Sequence, residues 1–303
     1  MELSGRAIAV TGASGMVGRY LVRALADRGA RVVAVVRSPQ KMARTGLPAE
    51  ARRADLADVD ALTAAFDGCD AVFSNAGVVS IGGQSREALM RSNLEGTRNV
   101  FEAMRRAGVR RAVMTSSVTV YEPQRGHVYA EDAPLLSESA RVSRPLYYAL
   151  SKALAEREAR RLSDANGIDL SVARPSGIYG LHDRAGFTMW LHRFAAVPLV
   201  TVFPTHLYMP NVYAGDLAEA MVRMLERPAA SGRAYNVSGD PGVSFWAMLQ
   251  AYRRAGWPAP RLVVPIPVPF RRVYATDRAR DDLDFENRSP LDAFTEMRAE
   301  RVS

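Results

Sequence analysis

The stretch from residue 7 to residue 25 constrains this chain most. Ala7-Ile8-Ala9-Val10 is a short apolar run, which reads as a strand buried on both faces. Gly12, Gly15 and Gly18 follow at three-residue spacing, and Met16, Val17, Tyr20, Leu21, Val22 and Leu25 recur at helical period. Strand, glycine turn and helix in that order form the phosphate site of a dinucleotide-binding βαβ unit. Gly12 permits the tight turn, Gly15 lets backbone approach a pyrophosphate, and Gly18 lets the helix pack close to the sheet. Ser14, Met16 and Val17 stand at the helix start, where N–H groups and the helix dipole attract phosphate.

The rest of the chain extends this unit. Short strands are expected at residues 31–36, 51–54, 70–74 and 111–115, with helices at 59–66 and 86–106 between them. This alternation predicts an α/β fold: a Rossmann, doubly wound parallel sheet with helices on both faces. Residues 122–145 are polar and irregular, which suits an active-site loop. A helix over 147–164 and a strand over 169–173 follow. Beyond Pro175 prolines recur and the alternation loosens, with helices at 215–225, 245–254 and 291–298. We therefore expect a dinucleotide-binding domain over residues 1–175. Residues 176–303 should mainly form a smaller C-terminal substrate-binding lobe, with some segments returning to the first domain.

Composition excludes several classes. The 303 residues, 48% of them hydrophobic, suffice for one large core. The net charge of +8 is spread over short arginine pairs such as Arg52-Arg53 and Arg105-Arg106. No basic stripe with interleaved aromatics appears, so nucleic acid is not an expected partner, whereas anionic ligands are favoured. Cys69 is the single cysteine, which excludes an intrachain disulfide and suits a reducing cytosol. Met1 to Arg6 carry no signal-peptide pattern, and no apolar run approaches the roughly 20 residues of a membrane span. We expect a cytoplasmic protein with no membrane partner. His182, His192 and His206 lack ligand-like spacing with carboxylates, so no metal is expected.

The strand ends carry the chemistry. After the second strand an acidic residue would bind the ribose hydroxyls of NAD; this chain has Arg37, with Ser38 and Lys41 beyond. A guanidinium holds a 2′-phosphate by paired charge-assisted bonds, so NADP(H) is preferred, with NAD(H) as the other dinucleotide to consider. Asp55 offers an acceptor for the adenine amino group beside the apolar wall of Leu56, and Asn75-Ala76-Gly77 lets the cofactor lie against backbone. Tyr148 and Lys152 are four apart and share a helix face, whereas Tyr147 is rotated away. A phenol near its ordinary value of about 10 is a poor acid–base group at neutral pH, and a neighbouring ammonium lowers it. Tyr148 can then exchange a proton with a carbonyl or alcohol oxygen, while Lys152 also offers donors to the nicotinamide ribose. The fifth strand runs into Thr115-Ser116-Ser117, whose hydroxyls reach the same region.

Together these segments resemble the extended branch of the short-chain dehydrogenase/reductase superfamily. The resemblance is carried by Gly12-x-x-Gly15-x-x-Gly18, Asp55-Leu56, Asn75-Ala76-Gly77, Thr115-Ser116-Ser117-x-x-Val120-Tyr121, Tyr148-x-x-x-Lys152 and Arg174-Pro175-Ser176-Gly177-Ile178-Tyr179-Gly180. Asn211 to Ala218 and Ala234-Tyr235-Asn236-Val237 extend it over nearly the whole chain. It implies Tyr148 as general acid/base, Lys152 as its partner and Ser117 as the catalytic serine, with Ser116 as the competing neighbour. Pro175 and Ile178 would touch the nicotinamide. It also implies a homodimer through the helices at 86–106 and 147–164. The sequence departs from the family at Glu122, where glycine is usual, and at Leu283-Asp284-Phe285, where relatives carry Leu-Gly-Phe.

Within that branch, reductases make a net hydride transfer, whereas nucleotide-sugar epimerases return the hydride and hold NAD tightly. Arg37, and Val118 and Thr119 where dehydratases carry an acidic pair, favour a dihydroflavonol-reductase-like or 3β-hydroxysteroid-dehydrogenase-like oxidoreductase. The apolar run Leu262 to Phe270, with Trp190, Phe194, Phe203 and Trp246, favours a small, fairly apolar carbonyl or alcohol substrate. Arg184, Arg193 and Arg271 would instead suit the diphosphate of a 4-epimerase substrate. A non-catalytic NADP-sensing regulator is the third reading; retention of Tyr148 and Lys152 argues against it.

Overall fold

In the structure, a computed structural model, residues 1–79, 83–123, 128–140, 142–183, 186–195, 200–204, 206–208, 210–259 and 262–302 are described. β1 (Ala7–Thr11) leads through the glycine turn into α1 (Met16–Ala26). β2 (Arg31–Val36), α2 (Pro39–Ala43), β3 (Glu50–Arg53), α3 (Val59–Phe66) and β4 (Ala71–Ser74) follow. α4 (Arg86–Leu89) continues through a π-helical turn, Met90–Glu95, into α5 (Gly96–Ala107), and β5 (Arg111–Thr115) comes next. After β6 (Val128–Tyr129) come α6 (Tyr147–Asn166), β7 (Asp169–Pro175), β8 (Gly177–Tyr179), α7 (Phe187–Ala195), β9 (Val200–Pro204) and β10 (Leu207–Tyr208). The chain ends with β11 (Asn211–Tyr213), α8 (Ala214–Glu226), β12 (Ala234–Val237), α9 (Phe245–Arg254), β13 (Leu262–Ile266), β14 (Phe270–Arg271), β15 (Val273–Tyr274), α10 (Asp277–Leu283) and α11 (Pro290–Val302).

Seven parallel strands make the central sheet in the order β3-β2-β1-β4-β5-β7-β12. The strands are apolar throughout because both faces are covered. Ile8, Val10, Val32 and Ala34 pack with Leu21, Leu25, Leu217 and Met221 of α1 and α8. The alternate residues Ala9, Val33, Val35 and Val72 pack with Phe66, Phe101, Met104 and Ala155 of α3, α5 and α6. Each large side chain buried in these layers contributes about 1.5–3 kcal/mol. Local signals set the helix starts: Ser38 caps α2 ahead of Pro39, and the Asp58 and Ser244 side chains accept first-turn N–H groups of α3 and α9.

β1 pairs with β2 on one side and β4 on the other, so the winding reverses at β1. A doubly wound sheet opens its ligand crevice at the carboxyl ends beside such a reversal. Thr11-Gly12, Arg37, Asn75, Thr115 to Ser117 and Pro175 all stand at those ends.

The structure corrects several expected elements. The single helix over 86–106 is two α-helices joined by the π turn, which inserts a residue and turns Asn93 inward. β3 begins one residue earlier than expected, while Ala54 still donates to the Val36 carbonyl. α7 and α10, two short helices of nine and seven residues, were not expected. In the apolar run Leu262, Val264, Ile266, Val268 and Phe270 are exposed, and β13 pairs with β9. Arg184 and the side chains of Trp190, Phe194 and Phe203 lie outside the described residues.

Candidate active site

The phosphate turn is shaped by missing side chains. Gly12 has φ +68°, and a Cβ there would stand 3.0 Å from the Ala76 Cα. A Cβ at Gly18 would stand 2.2 Å from the Gly12 carbonyl oxygen, so only glycine lets α1 lie against the turn. The Gly15 N–H donates to that same carbonyl at 2.9 Å, and no side chain caps α1. Ser14 is half-buried, Met16 opens α1 and Val17 is buried. A cradle that any Cβ would fill, below uncapped helix N–H groups, fits a dinucleotide pyrophosphate.

Thr11 fastens the neighbouring strand end. Its Oγ1 donates to the Phe73 carbonyl at 3.1 Å and accepts the N–H groups of Asn75 and Ala76, each at 3.0 Å. Asn75-Ala76-Gly77 is thereby drawn across the glycine turn. Arg37 is exposed at the end of β2 and, among the described residues, forms no ion pair. Ser38 sits beside it but its hydroxyl accepts the Lys41 N–H at 3.3 Å, which gives it a capping role as well. Asp55 is exposed and accepts the Ala57 N–H at 3.0 Å. Leu56 is half-buried against Gly96, and its carbonyl accepts from Asn99 at 2.8 Å.

The two serines at the end of β5 point to different partners. Ser117 is hydrogen-bonded to Tyr148 and accepts from Thr119 Oγ1 at 2.9 Å. Ser116 donates instead to Glu156 Oε2 at 2.7 Å. Ser116 therefore turns away from the Tyr148 hydroxyl, and the pleat that separates neighbours on a strand explains the division. Lys152 Nζ donates to the Thr115 carbonyl at 2.5 Å, and Thr115 Oγ1 donates to Asn75 Oδ1 at 3.0 Å. Lys152 is thus tied to the sheet rather than to the phenol. Burial pushes the Tyr148 phenol up to about 12, against its bond to Ser117. Burial pushes the Lys152 ammonium down to about 8, opposed by Glu156. This corrects the expectation that Lys152 lowers Tyr148: spacing puts the two on one helix face, but desolvation of the phenol dominates.

Further polar residues support this cleft; Arg174, Tyr121 and Asn236 stand in the motifs that carry the resemblance without an assigned role, while Asn93 and Glu156 were not singled out by sequence. Asn93 is buried, donates to Ser151 Oγ at 3.0 Å and to the Val78 carbonyl at 3.1 Å, and accepts the Val78 N–H at 2.8 Å. The π turn aims it there, a device common at functional sites. Arg174, next to Pro175, forms a buried ion pair with Glu156 at 2.5 Å and also donates to Tyr121 Oη at 3.0 Å and the Glu131 carbonyl at 2.7 Å. Tyr121 in turn donates to Asn236 Oδ1 at 2.5 Å. Pro175 ends β7, and Ile178 is half-buried in β8, paired with Val212. A separate cavity of about 640 Å³ is lined by Leu181, His182, His192, Tyr252, Pro258, Glu300 and Arg301. Ser117, Tyr148 and Lys152 are not part of its wall.

The chain is similar to known proteins in sequence and in fold. The model of the NAD dependent epimerase/dehydratase family matches residues 8–238. Cinnamoyl-CoA reductase 1 of Arabidopsis thaliana is 31% identical, over 76% of this chain and 70% of that protein. Dihydroflavonol 4-reductase of Hordeum vulgare is 32% identical, over 75% and 69%. The 3 beta-hydroxysteroid dehydrogenase/Delta 5-->4-isomerase of Mycobacterium tuberculosis is 30% identical, over 85% and 72%. Among solved structures, a short-chain dehydrogenase/reductase superfamily protein from Agrobacterium tumefaciens with bound NAD superposes with a TM-score of 0.76 at 25% identity, over 98% of both chains. UDP-glucose 4-epimerase of Thermotoga maritima reaches 0.79 at 16% identity, over 98% of this chain and 100% of that one, a likeness of fold.

Proposed function

Because the chain belongs to the NAD-dependent epimerase/dehydratase family, the extended branch of the short-chain dehydrogenases/reductases, we propose that it is an NADP(H)-dependent reductase. Its substrate is a small, fairly apolar carbonyl compound, interconverted with the secondary alcohol. The observation that carries this reading is the Ser117–Tyr148 hydrogen bond beside Lys152, at the same strand ends as the phosphate turn.

A nicotinamide cofactor held at the glycine turn would supply or accept the hydride. The residues do the rest. Gly12 to Gly18 bind the pyrophosphate, and Lys152 adds donors for the nicotinamide ribose. Tyr148, kept protonated by burial, donates its proton to the carbonyl oxygen as that oxygen gains charge. Ser117 donates to the same oxygen and fixes its position. The ammonium of Lys152 then balances the phenolate that Tyr148 becomes. Arg37, exposed and free of a protein carboxylate among the described residues, pairs with the 2′-phosphate of NADP(H). The relatives at about 30% identity are named as reductases and a dehydrogenase, which supports net transfer over return of the hydride.

No helix among the described residues is long and apolar enough to cross a membrane. The same reading includes a homodimer through α5 and α6. Their exposed faces carry the ion pairs Arg98–Glu158 and Arg106–Glu102 rather than an apolar patch. Sedimentation at rising salt reads whether such faces meet.

The mechanism is tested by Tyr148→Phe. NADPH oxidation by a panel of aldehydes, ketones and enones should fall about 10²- to 10⁴-fold, with NADPH binding by fluorescence retained. Undiminished turnover in this variant overturns the assignment.

A further inference from the structure

Tyr148, Lys152 and Glu156 recur at every fourth residue along α6 and share one face. Glu156 is completely buried, and no step of the proposed reaction uses it. Its carboxylate accepts from Ser116 Oγ at 2.7 Å, from Arg174 Nε at 3.1 Å and Nη2 at 2.5 Å, and from Arg160 Nε at 3.3 Å and Nη2 at 3.2 Å. It therefore joins α6 to the end of β5 and to β7. Ser116 immediately precedes Ser117, whose hydroxyl meets Tyr148. Arg174 is fixed from behind by Tyr121 Oη and the Glu131 carbonyl.

We propose that Glu156 is a positioning residue of this site: its carboxylate holds the Ser116–Ser117 turn against α6 and keeps the buried Lys152 ammonium charged, one helical turn away. The proposal rests on the reading of Ser117, Tyr148 and Lys152 given above. A buried carboxylate and guanidinium recover little net stability over apolar residues of similar size. A positioning role gives this pair a reason that stability does not. Among the described residues, Tyr148 and Glu156 share the α6 face of Lys152; Arg174 on β7 and Arg160 on α6 bond Glu156 directly, and Tyr121 and Glu131 lie behind Arg174. The π turn and β5 bring neutral groups, Asn93 and Thr115. Glu156 is thus the anion nearest in sequence on the face that Lys152 occupies. Burial pushes Glu156 up, but Arg174, Arg160 and Ser116 hold it below its ordinary value, so it is ionised where Lys152 titrates.

The chain has two lysines, Lys41 and Lys152. Protein labelled with ε-13C lysine therefore gives two lysine resonances, and Lys152→Arg identifies which is which. In the wild type the Lys152 signal should titrate near pH 8. In Glu156→Gln it should titrate about one pH unit lower. The double variant Glu156→Gln with Arg174→Gln removes the buried guanidinium together with its carboxylate, and the same direction of shift is expected there. A Lys152 titration unmoved in either folded variant overturns the role for Glu156. Ser116→Ala keeps the ion pair and removes the link to the turn. It should lower kcat at least tenfold with the Lys152 titration and NADPH affinity unchanged, and wild-type kcat would refute the link. The NMR titration needs no turnover, so its failure is separable from failure of the reductase reading, which Tyr148→Phe reports.

Discussion

At Lys152 burial works against charge. The ammonium falls from its ordinary value of 10.5 to about 8, while the Tyr148 phenol rises to about 12. The pH dependence of carbonyl reduction follows. Tyr148 is proton-loaded across the physiological range, so the basic limb belongs to Lys152. We predict a plateau in kcat below about pH 8 and a decline toward tenfold per pH unit above it. Stability moves the other way. Between the folded and unfolded values, roughly pH 8 to 10.5, the unfolded chain holds the proton on Lys152 and the folded chain releases it, so this group's contribution to stability rises with pH. A rate that holds to pH 9.5 with a titration of Lys152 near 8 would contradict the assignment of the limb. The proposed preference for NADP(H) rests on Arg37. Arg37→Asp should weaken NADPH binding at least tenfold and shift preference toward NADH; an unchanged NADPH/NADH affinity ratio would place the 2′-phosphate elsewhere. Tyr148 and Lys152 were legible in the sequence because a helix period of 3.6 is rigid enough to pair them. The choice between Ser116 and Ser117 was not, since both stand at one strand end and only the direction of each side chain separates them. Glu156 and Asn93 were hidden for the same reason: a lone Glu or Asn on a helix carries no sign of what it faces.

At the scale of elements, the β1–turn–α1 unit is the part whose sequence dictates its shape most tightly. Gly18→Ala forces a methyl group to within 2.2 Å of the Gly12 carbonyl oxygen, so α1 must move off the turn. We expect NADPH and NADH affinities in Gly18→Ala to fall together, at least tenfold, with the far-ultraviolet circular dichroism little changed. Retention of both affinities would mean that the pyrophosphate does not rest on this turn. The strands β1, β2 and β4 were readable because apolar runs bounded by glycine and polar residues have few alternatives. The π turn was not, because one inserted residue leaves the apolar pattern of 86–106 close to that of a regular helix while rotating Asn93 inward. The exposure of the run Leu262 to Phe270 was not legible for a different reason. Period and hydrophobicity indicate strand, as β13 is, but say nothing of whether another element covers it.

Across the whole molecule, the parallel order of the sheet gathers residues distant in sequence. The reversal at β1 brings the glycine turn, Arg37, Asn75, Ser117 and Pro175 to one edge, and α6 lays Tyr148 and Lys152 across it. That convergence was foreseeable from the βα alternation, whereas the packing of the C-terminal segments was not, since short strands separated by prolines pair through contacts with no local signature. The central claim is a dissociable NADP(H) that exchanges hydride with an outside carbonyl. The nucleotide released on denaturing freshly purified protein tests it most directly. The account predicts little bound nucleotide, or NADP(H) where any is retained. Near-stoichiometric NAD would contradict it and mark an enzyme that returns its hydride to the substrate within one turnover.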